Sequence, residues 1–482
     1  MIIDNLSNIK FIPDYILIGS GPASISCALS LEKKNKTCLI LEAGEIEFTE
    51  ESQKNYQGTV IGDPYHDLDI ARLRFFGGSS NHWGGWCRPL DSYDFDSWLI
   101  NYEEINKYRN EACKILEIEN QFDNENFIND SFKQVNFEFS DPPVRFGEKY
   151  KNHIFKSKNI NIAFNAYVLK LSGTNKVEKI HVLHKNNYIE IIPKITIVGC
   201  GGIENSRLLL WSRYDSNNNF LKNLPIGHDW MEHPHLPIGD FIGEEQKVKN
   251  FKNKYLMKNF AYTSDDGYNY GYFISPTKKL MTKMNINNFN LRMGDPIGIK
   301  KDSLIEENIR ALMCVAPRYA KKLSNLLDKN ILCSYKIMGV VEQKPNKDNK
   351  IILSASKKDL NGIPLVELHW KKNNDIRDTV SKFCQALGKF FIDNDVGRIA
   401  LHDYLVDYTK PYPKDSLFGL HHMGGTIMGK NAYESVVDQN LKVHEVNNLY
   451  IIGSSVFSTA GYANPTLSIV QLSLRLADHL TN

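Results

Sequence analysis

Gly19-Ser20-Gly21-Pro22-Ala23-Ser24 follows a short apolar run, Tyr15 to Ile18, and precedes Ile25, Ala28 and Leu29 at helical spacing. Glycines in such a turn let the backbone approach a pyrophosphate, and the helix behind it offers unpaired N–H groups and a positive dipole end. Glu42 stands 23 residues after Gly19, closing a second apolar run from Thr37 to Leu41. A carboxylate there can accept hydrogen bonds from both hydroxyls of an adenosine ribose. The strict pattern has a third glycine where this chain has Ser24, small enough for close helix–strand packing. Taken alone the turn does not separate a flavin from a nicotinamide dinucleotide, and an ordinary glycine turn is its bland alternative.

Three further blocks carry chemistry-bearing residue types. Gly77 to Trp86 reads Gly-Gly-Ser-Ser-Asn-His-Trp-Gly-Gly-Trp, a glycine-rich loop with aromatic punctuation that can wrap a large planar ligand. Ile195 to Val198 leads through Gly199-Cys200-Gly201-Gly202 into Ile203 to Trp211, a second strand–glycine–helix passage. The C-terminal portion holds His421-His422-Met423-Gly424-Gly425-Thr426-Ile427-Met428-Gly429, then Asn448 to Gly453, then Gly461-Tyr462-Ala463-Asn464-Pro465-Thr466.

In this order the blocks, with Gly227 to Pro234, resemble the glucose-methanol-choline (GMC) oxidoreductases, closest in motif to the pyranose oxidase and gluconate dehydrogenase-like branch. The resemblance runs over nearly the whole chain, loosely in the substrate domain. It implies an FAD enzyme that oxidises a CH–OH group, with the residue matching His422 taking the alcohol proton while hydride leaves the same carbon for flavin N5. An imidazole of ordinary pKa near 6.5 suits that task. Asn464, which cannot titrate, would hold the substrate oxygen. If the segment is extended, only one of His421 and His422 can face the flavin. The H-x-G-G-T spacing selects His422, and His421 is the alternative.

The resemblance also assigns cofactor contacts to Gly19, Gly21, Ser24, Glu42, Gly78, Ser79, Asn81, His82, Gly453, Asn464, Pro465 and Thr466. His82 aligns with a histidine that pyranose oxidases bond covalently to the flavin; Asn81 departs from the usual Thr, and simple packing of His82 on the dimethylbenzene ring is the other reading. Asn464-Pro465-Thr466 further reads as a helix start, with Asn464 as N-cap, Pro465 at N1 and an apolar face of Leu467, Val470, Leu474 and Ala477. Its positive end would face the flavin edge that gathers charge on reduction. His233, Pro234, Glu204 and Asn205 fall near the flavin in the matching segments, with a structural role expected.

These residues need a scaffold, and the pattern predicts an α/β fold: a Rossmann-like FAD-binding domain beside a substrate-binding domain built on a β-sheet. The FAD domain is expected from discontinuous pieces, 1–90, 160–235 and 420–482. Residues 91–159 read as a lid or connecting region, polar and Asn-rich around Glu117 to Asp130, and 236–419 as the substrate domain, with strands expected over Ile331 to Val341 and Leu365 to Trp370. Lys plus Arg total 58 against 56 acidic residues, so no general field attracts nucleic acid or an anionic membrane. Eight cysteines lie apart without zinc spacings, so no metal is expected and reduced thiols are. Met1 to Asp14 lacks a basic, then apolar, leader and no run nears the roughly 20 apolar residues of a spanning helix, so a cytoplasmic enzyme is expected.

A secondary hydroxyl of a sugar, glycoside or sugar acid is the favoured substrate class by resemblance, with a non-sugar alcohol as the alternative. The acceptor is oxygen, a quinone or a redox protein, and no heme attachment motif is present. Two rival functions stand beside this reading. One is an NAD-dependent dehydrogenase, which leaves the C-terminal blocks unexplained; the other is a lyase or non-redox flavoprotein on the same scaffold.

Overall fold

A computed structural model describes residues 1–8, 12–123, 126–216, 219–259, 261–263, 267–293, 335–413 and 417–482, with isolated positions between 305 and 326. Four apolar runs of the N-terminal half and one from near the C-terminus become a five-stranded sheet ordered Leu449–Ile451, Ile195–Val198, Tyr15–Ile18, Cys38–Leu41, Ile160–Ala163. Every neighbouring pair in it is parallel. Tyr15–Ile18, at its centre, is buried throughout, as a continuous apolar strand covered on both faces must be. The helix Pro22–Lys33 starts directly after the glycine turn and packs on the C-terminal helix Thr466–His479. Ser24 is fully buried between that first helix and the neighbouring strand, close enough that a Cβ on Gly199 would sit 2.3 Å from its hydroxyl.

The second layer is a nine-stranded sheet whose centre runs Pro234–Ile242, Tyr335–Val341, Phe289–Met293, Asn269–Pro276, Phe132–Phe139, with antiparallel pairing. Strand alternation gives it two unlike faces. Leu236, Ile238, Phe289 and Leu291 pack with Phe383, Leu387 and Phe391 of the 20-residue helix Asn374–Asp393. The opposite face carries His235, which pairs with Val340, itself paired with Asn290.

Within 91–159, Phe132–Phe139 pairs with Asn269–Pro276 along its whole length, and the helix Arg109–Leu116 packs on Thr466–His479. The strands Lys350–Lys358 and Pro364–Trp370 form a three-stranded sheet with Gly58–Gly62, and Lys350–Lys358 leans on the helix Glu204–Tyr214. In both cases the pairing partner lies far along the chain, where local periodicity carries no signal.

The strand expected from Leu365 runs Pro364–Trp370. Of Ile331 to Val341, residues 331–334 lie outside the described residues and Tyr335–Val341 is a strand. Six cysteines, including Cys27, Cys38 and Cys87, are free; Cys314 and Cys333 lie outside the described residues. Among the described residues no helix is long and apolar enough to cross a membrane, and no His, Cys, Asp and Glu group could hold a metal ion.

Candidate active site

A cavity of about 400 Å³ opens at the carboxyl ends of the parallel strands, where the glycine turns of Gly19, Gly199 and Gly453 converge. Gly19 adopts φ +93°, and a Cβ there would stand 2.7 Å from the Gly199 carbonyl oxygen. A side chain at Gly21 would meet no atom within 4 Å, because this glycine faces the cavity. Glu42 is buried beside the turn: one carboxylate oxygen accepts from the Ser20 amide at 3.0 Å and the Ser20 hydroxyl, the other from Gly44 N at 2.7 Å. Across the cavity, Pro465 and Thr466 bring in the N-terminus of the C-terminal helix.

The sequence-derived site residues divide. Gly19, Gly21, Glu42, Gly78, Ser79, His82, His422, Gly453, Asn464, Pro465 and Thr466 line the cavity. Ser24 lies behind it, packed on the sheet. Asn81 is also outside the lining: its amide donates to Phe76 O and Gly78 O, both at 2.9 Å, and so closes the loop from beneath. Asn464 does not cap the terminal helix, whose N-cap position belongs to Pro465. Its amide is engaged elsewhere, with a histidine.

That histidine is His421. Asn464 Nδ2 lies 3.2 Å from His421 Nε2, whereas His422 Nε2 turns away to the Tyr65 hydroxyl at 3.0 Å. Consecutive residues on an extended segment project to opposite sides, and the pairing of His422 with Asn464 expected from the H-x-G-G-T spacing is replaced by His421 with Asn464. Accessibility agrees, since His421 is half-buried and His422 only 9% exposed.

The protons can be placed from the partners. His233 Nε2 lies 3.3 Å from the Ala460 carbonyl, which only accepts, so that nitrogen carries the hydrogen and His233 Nδ1 is the acceptor of a neutral ring. His421 Nδ1, 2.8 Å from His233 Nδ1, must then donate. This assignment leaves a lone pair on His421 Nε2, facing the Asn464 amide. Burial pushes the His421 pKa well below 6.5, with His233, His235 and His422 nearby adding to the effect. The ring is therefore neutral at ordinary pH.

Glu232 supports this arrangement from below. One carboxylate oxygen accepts from His233 N at 2.8 Å and His421 N at 2.9 Å, the other from the Tyr65 hydroxyl that reaches His422. Burial raises its pKa to about 7 against these hydrogen bonds. Burial also lowers His422 to about 3, helped by Arg72 and His82. Glu204 lies buried between Arg72 at 2.7 Å and Arg207 at 3.3 Å; burial opposes its ionisation, but the two guanidiniums prevail and lower its pKa. Asn205 ties the glycine turns together, accepting from Cys200 N and donating to Ile452 O and Ser455 Oγ. Tyr65 stands in no motif, and nothing local in the sequence marked it as a neighbour of the histidines.

Residues 345–473 match the family model described as GMC oxidoreductase. Over that C-terminal stretch the chain is similar to the GMC oxidoreductases. This is a family of FAD-dependent enzymes acting on CH–OH groups. The fructose dehydrogenase large subunit of Gluconobacter japonicus is 24% identical over 329 residues, covering 66% of this chain and about half (52%) of its own length. The 2-methyl-1,2-propanediol dehydrogenase of Mycolicibacterium austroafricanum is 23% identical, covering 97% of this chain and 95% of its own. In structure, pyridoxine 4-oxidase from Mesorbium loti superposes with a TM-score of 0.59 at 12% identity over 97% of this chain and 99% of that one. A formate oxidase does so at 0.58 and 14%, over 97% and 98%. At such identities the structural likeness establishes the fold alone.

The cradle fits an FAD. Gly21 leaves the space a pyrophosphate needs, with the first turn of Pro22–Lys33 behind it, and Glu42 closes the end where an adenosine ribose would lie. The loop of Gly78, Ser79 and His82 faces Pro465 and Thr466 across the part of the cavity that holds the histidines.

Proposed function

We propose that this enzyme oxidises a secondary hydroxyl of a sugar, glycoside or sugar acid, with His421 as the proton acceptor and Asn464 as the group that holds the reacting oxygen. The contact between His421 Nε2 and Asn464 Nδ2 at the cavity wall carries this reading. An alcohol oxygen that displaces this contact can donate its proton to the imidazole lone pair and accept from the carboxamide. Bound FAD supplies the acceptor for the hydride that leaves the carbon.

Everything else is the work of the chain. His233, anchored on Ala460 O, keeps the proton of His421 on Nδ1 so that Nε2 stays basic. Glu232 fixes the backbone N–H groups of both histidines, so the ring holds its place as it becomes charged. The depressed pKa of His421 keeps it unprotonated until substrate arrives, and the bound alcohol is deprotonated only as its C–H bond breaks.

Two features support a hydroxyl-rich substrate. His235 lines the cavity 6.2 Å from the His421 ring, and its Nε2 is a buried polar atom without a partner, which a hydroxyl of a polyol can satisfy. Among relatives, a fructose dehydrogenase and a C-glycoside 3-oxidase of Arthrobacter globiformis, 28% identical over 144 residues, carry sugar-related names. The diol dehydrogenase and the pyridoxine oxidase favour a non-sugar alcohol as the second reading. Oxygen, a quinone or a redox protein reoxidises the flavin, and the free cysteines suit a reducing, cytoplasmic setting.

Anaerobic bleaching of the yellow protein tests this reading, with sugars, glycosides and sugar acids set against simple diols and primary alcohols. Fastest bleaching is expected within the sugar group. Bleaching by diols alone replaces the substrate class, and no bleaching by any alcohol removes the reaction.

A further inference from the structure

A second cavity, of about 440 Å³, lies away from the dinucleotide crevice, between the end of the strand Gly58–Gly62, the start of the helix Asn374–Asp393 and the segment that follows Leu405. Its walls hold three cationic residues, Lys372, Arg377 and Lys410, against one acid, Asp63. Asp63 is already engaged, accepting from the Lys372 amide at 2.7 Å and lying 3.7 Å from the Lys372 ammonium.

Arg377 is the unusual member. It is 4% exposed, and its guanidinium is boxed by aromatic rings, with Tyr412 at 4.6 Å, Tyr408 at 5.0 Å and Tyr404 at 5.8 Å. Ring faces stabilise its charge but do not satisfy the hydrogens in its plane. Nε and Nη1 make no hydrogen bond, and no carboxylate forms a salt bridge with this guanidinium among the described residues. Burying a charged group with two idle donors is costly unless something else meets them. Lys372, packed over Trp370 at 4.6 Å and Tyr412 at 5.2 Å, brings a second buried cation to the same wall. The positive end of the 20-residue helix that carries Arg377 adds to the field.

We propose that this cavity binds the oxyanion of a small ligand, a carboxylate or a phosphate, with Arg377 as its anchor and Lys372 as the second cation. Planar guanidinium donors suit either oxyanion. Lys410, paired with Asp403 at 2.8 Å, stands at the exposed rim. The site adjoins the catalytic apparatus: Asp63 and Pro64 lead into Tyr65, whose ring meets Trp370 edge-on at 5.3 Å.

Flavin-loaded enzyme, with its dinucleotide crevice filled, is titrated calorimetrically with inorganic phosphate and separately with acetate, ionic strength being held constant with chloride. Saturable binding of one or both anions is expected, and the two arms tell which oxyanion is preferred. Arg377→Gln should weaken that binding at least about tenfold, as loss of a charge-assisted hydrogen bond does. If Arg377→Gln does not fold, Lys372→Met replaces it with the same expected loss. The proposal is overturned if neither anion binds the wild-type enzyme, or if the folded variant titrates as wild type does.

Discussion

His421 and His422 are consecutive, yet their imidazoles join different networks: His421 Nε2 meets Asn464 at 3.2 Å, and His422 Nε2 meets Tyr65 at 3.0 Å. Both line the cavity, and the first is the one whose Nε2 stands beside the carboxamide of Asn464. The second is tied through Tyr65 to Glu232, beneath the site.

Replacing each histidine in turn separates the two. His421→Ala should keep the yellow colour and lower the rate of anaerobic bleaching by about 10²- to 10⁴-fold, the usual contribution of a general base. His422→Ala should lose much less. Stopped-flow flavin reduction reads both variants, and the reverse ranking would return the catalytic role to His422.

Glu232 supplies a pH dependence whose sign follows from its raised pKa of about 7. Above that pH the carboxylate accepts from His233 N, His421 N and Tyr65. As pH falls through about 7 a proton takes up one of its oxygens, the backbone under His421 loosens, and kcat/KM should fall. His421 adds no such limb near neutrality, because burial holds it unprotonated. Glu232→Gln should be slower and flat through this range. A wild-type profile already flat from about pH 8.5 to about pH 6 would contradict the assignment.

Two glycines of one turn should fail differently. Gly19→Ala forces a side chain into φ +93° and to 2.7 Å from a carbonyl oxygen, so the protein should lose stability, by about 1–2 kcal/mol from the dihedral alone. Gly21→Ala meets open space and should fold normally while holding less flavin, because its methyl occupies the place of the pyrophosphate. Denaturant midpoints together with flavin-to-protein absorbance ratios distinguish the outcomes; equal flavin content in Gly21→Ala and wild type would mean that the phosphates lie elsewhere.

His82 lines the cavity, and burial together with Arg145 lowers its pKa, leaving a neutral ring. Packing against the flavin without a bond is the expected state. Acid-denatured enzyme run on a gel should therefore give a band without flavin fluorescence. A fluorescent band, abolished in His82→Ala, would establish covalent attachment instead.

The sequence by itself determined the dinucleotide half of this protein. Gly19, Gly21 and Glu42 meet at the cavity through a local strand–turn–helix geometry, and local geometry is what spacing encodes. The same holds for the terminal helix that brings Pro465 and Thr466 to the cavity. Which histidine lies beside Asn464 was decided only by the tertiary structure, because spacing shows that neighbours on an extended segment diverge but not which of them meets a residue far along the chain. Tyr65 and Glu232 meet across 167 residues of chain, and the strands Phe132–Phe139 and Pro364–Trp370 find partners equally remote. Such contacts arise when separate elements pack and exclude water, so no short stretch of residues contains them.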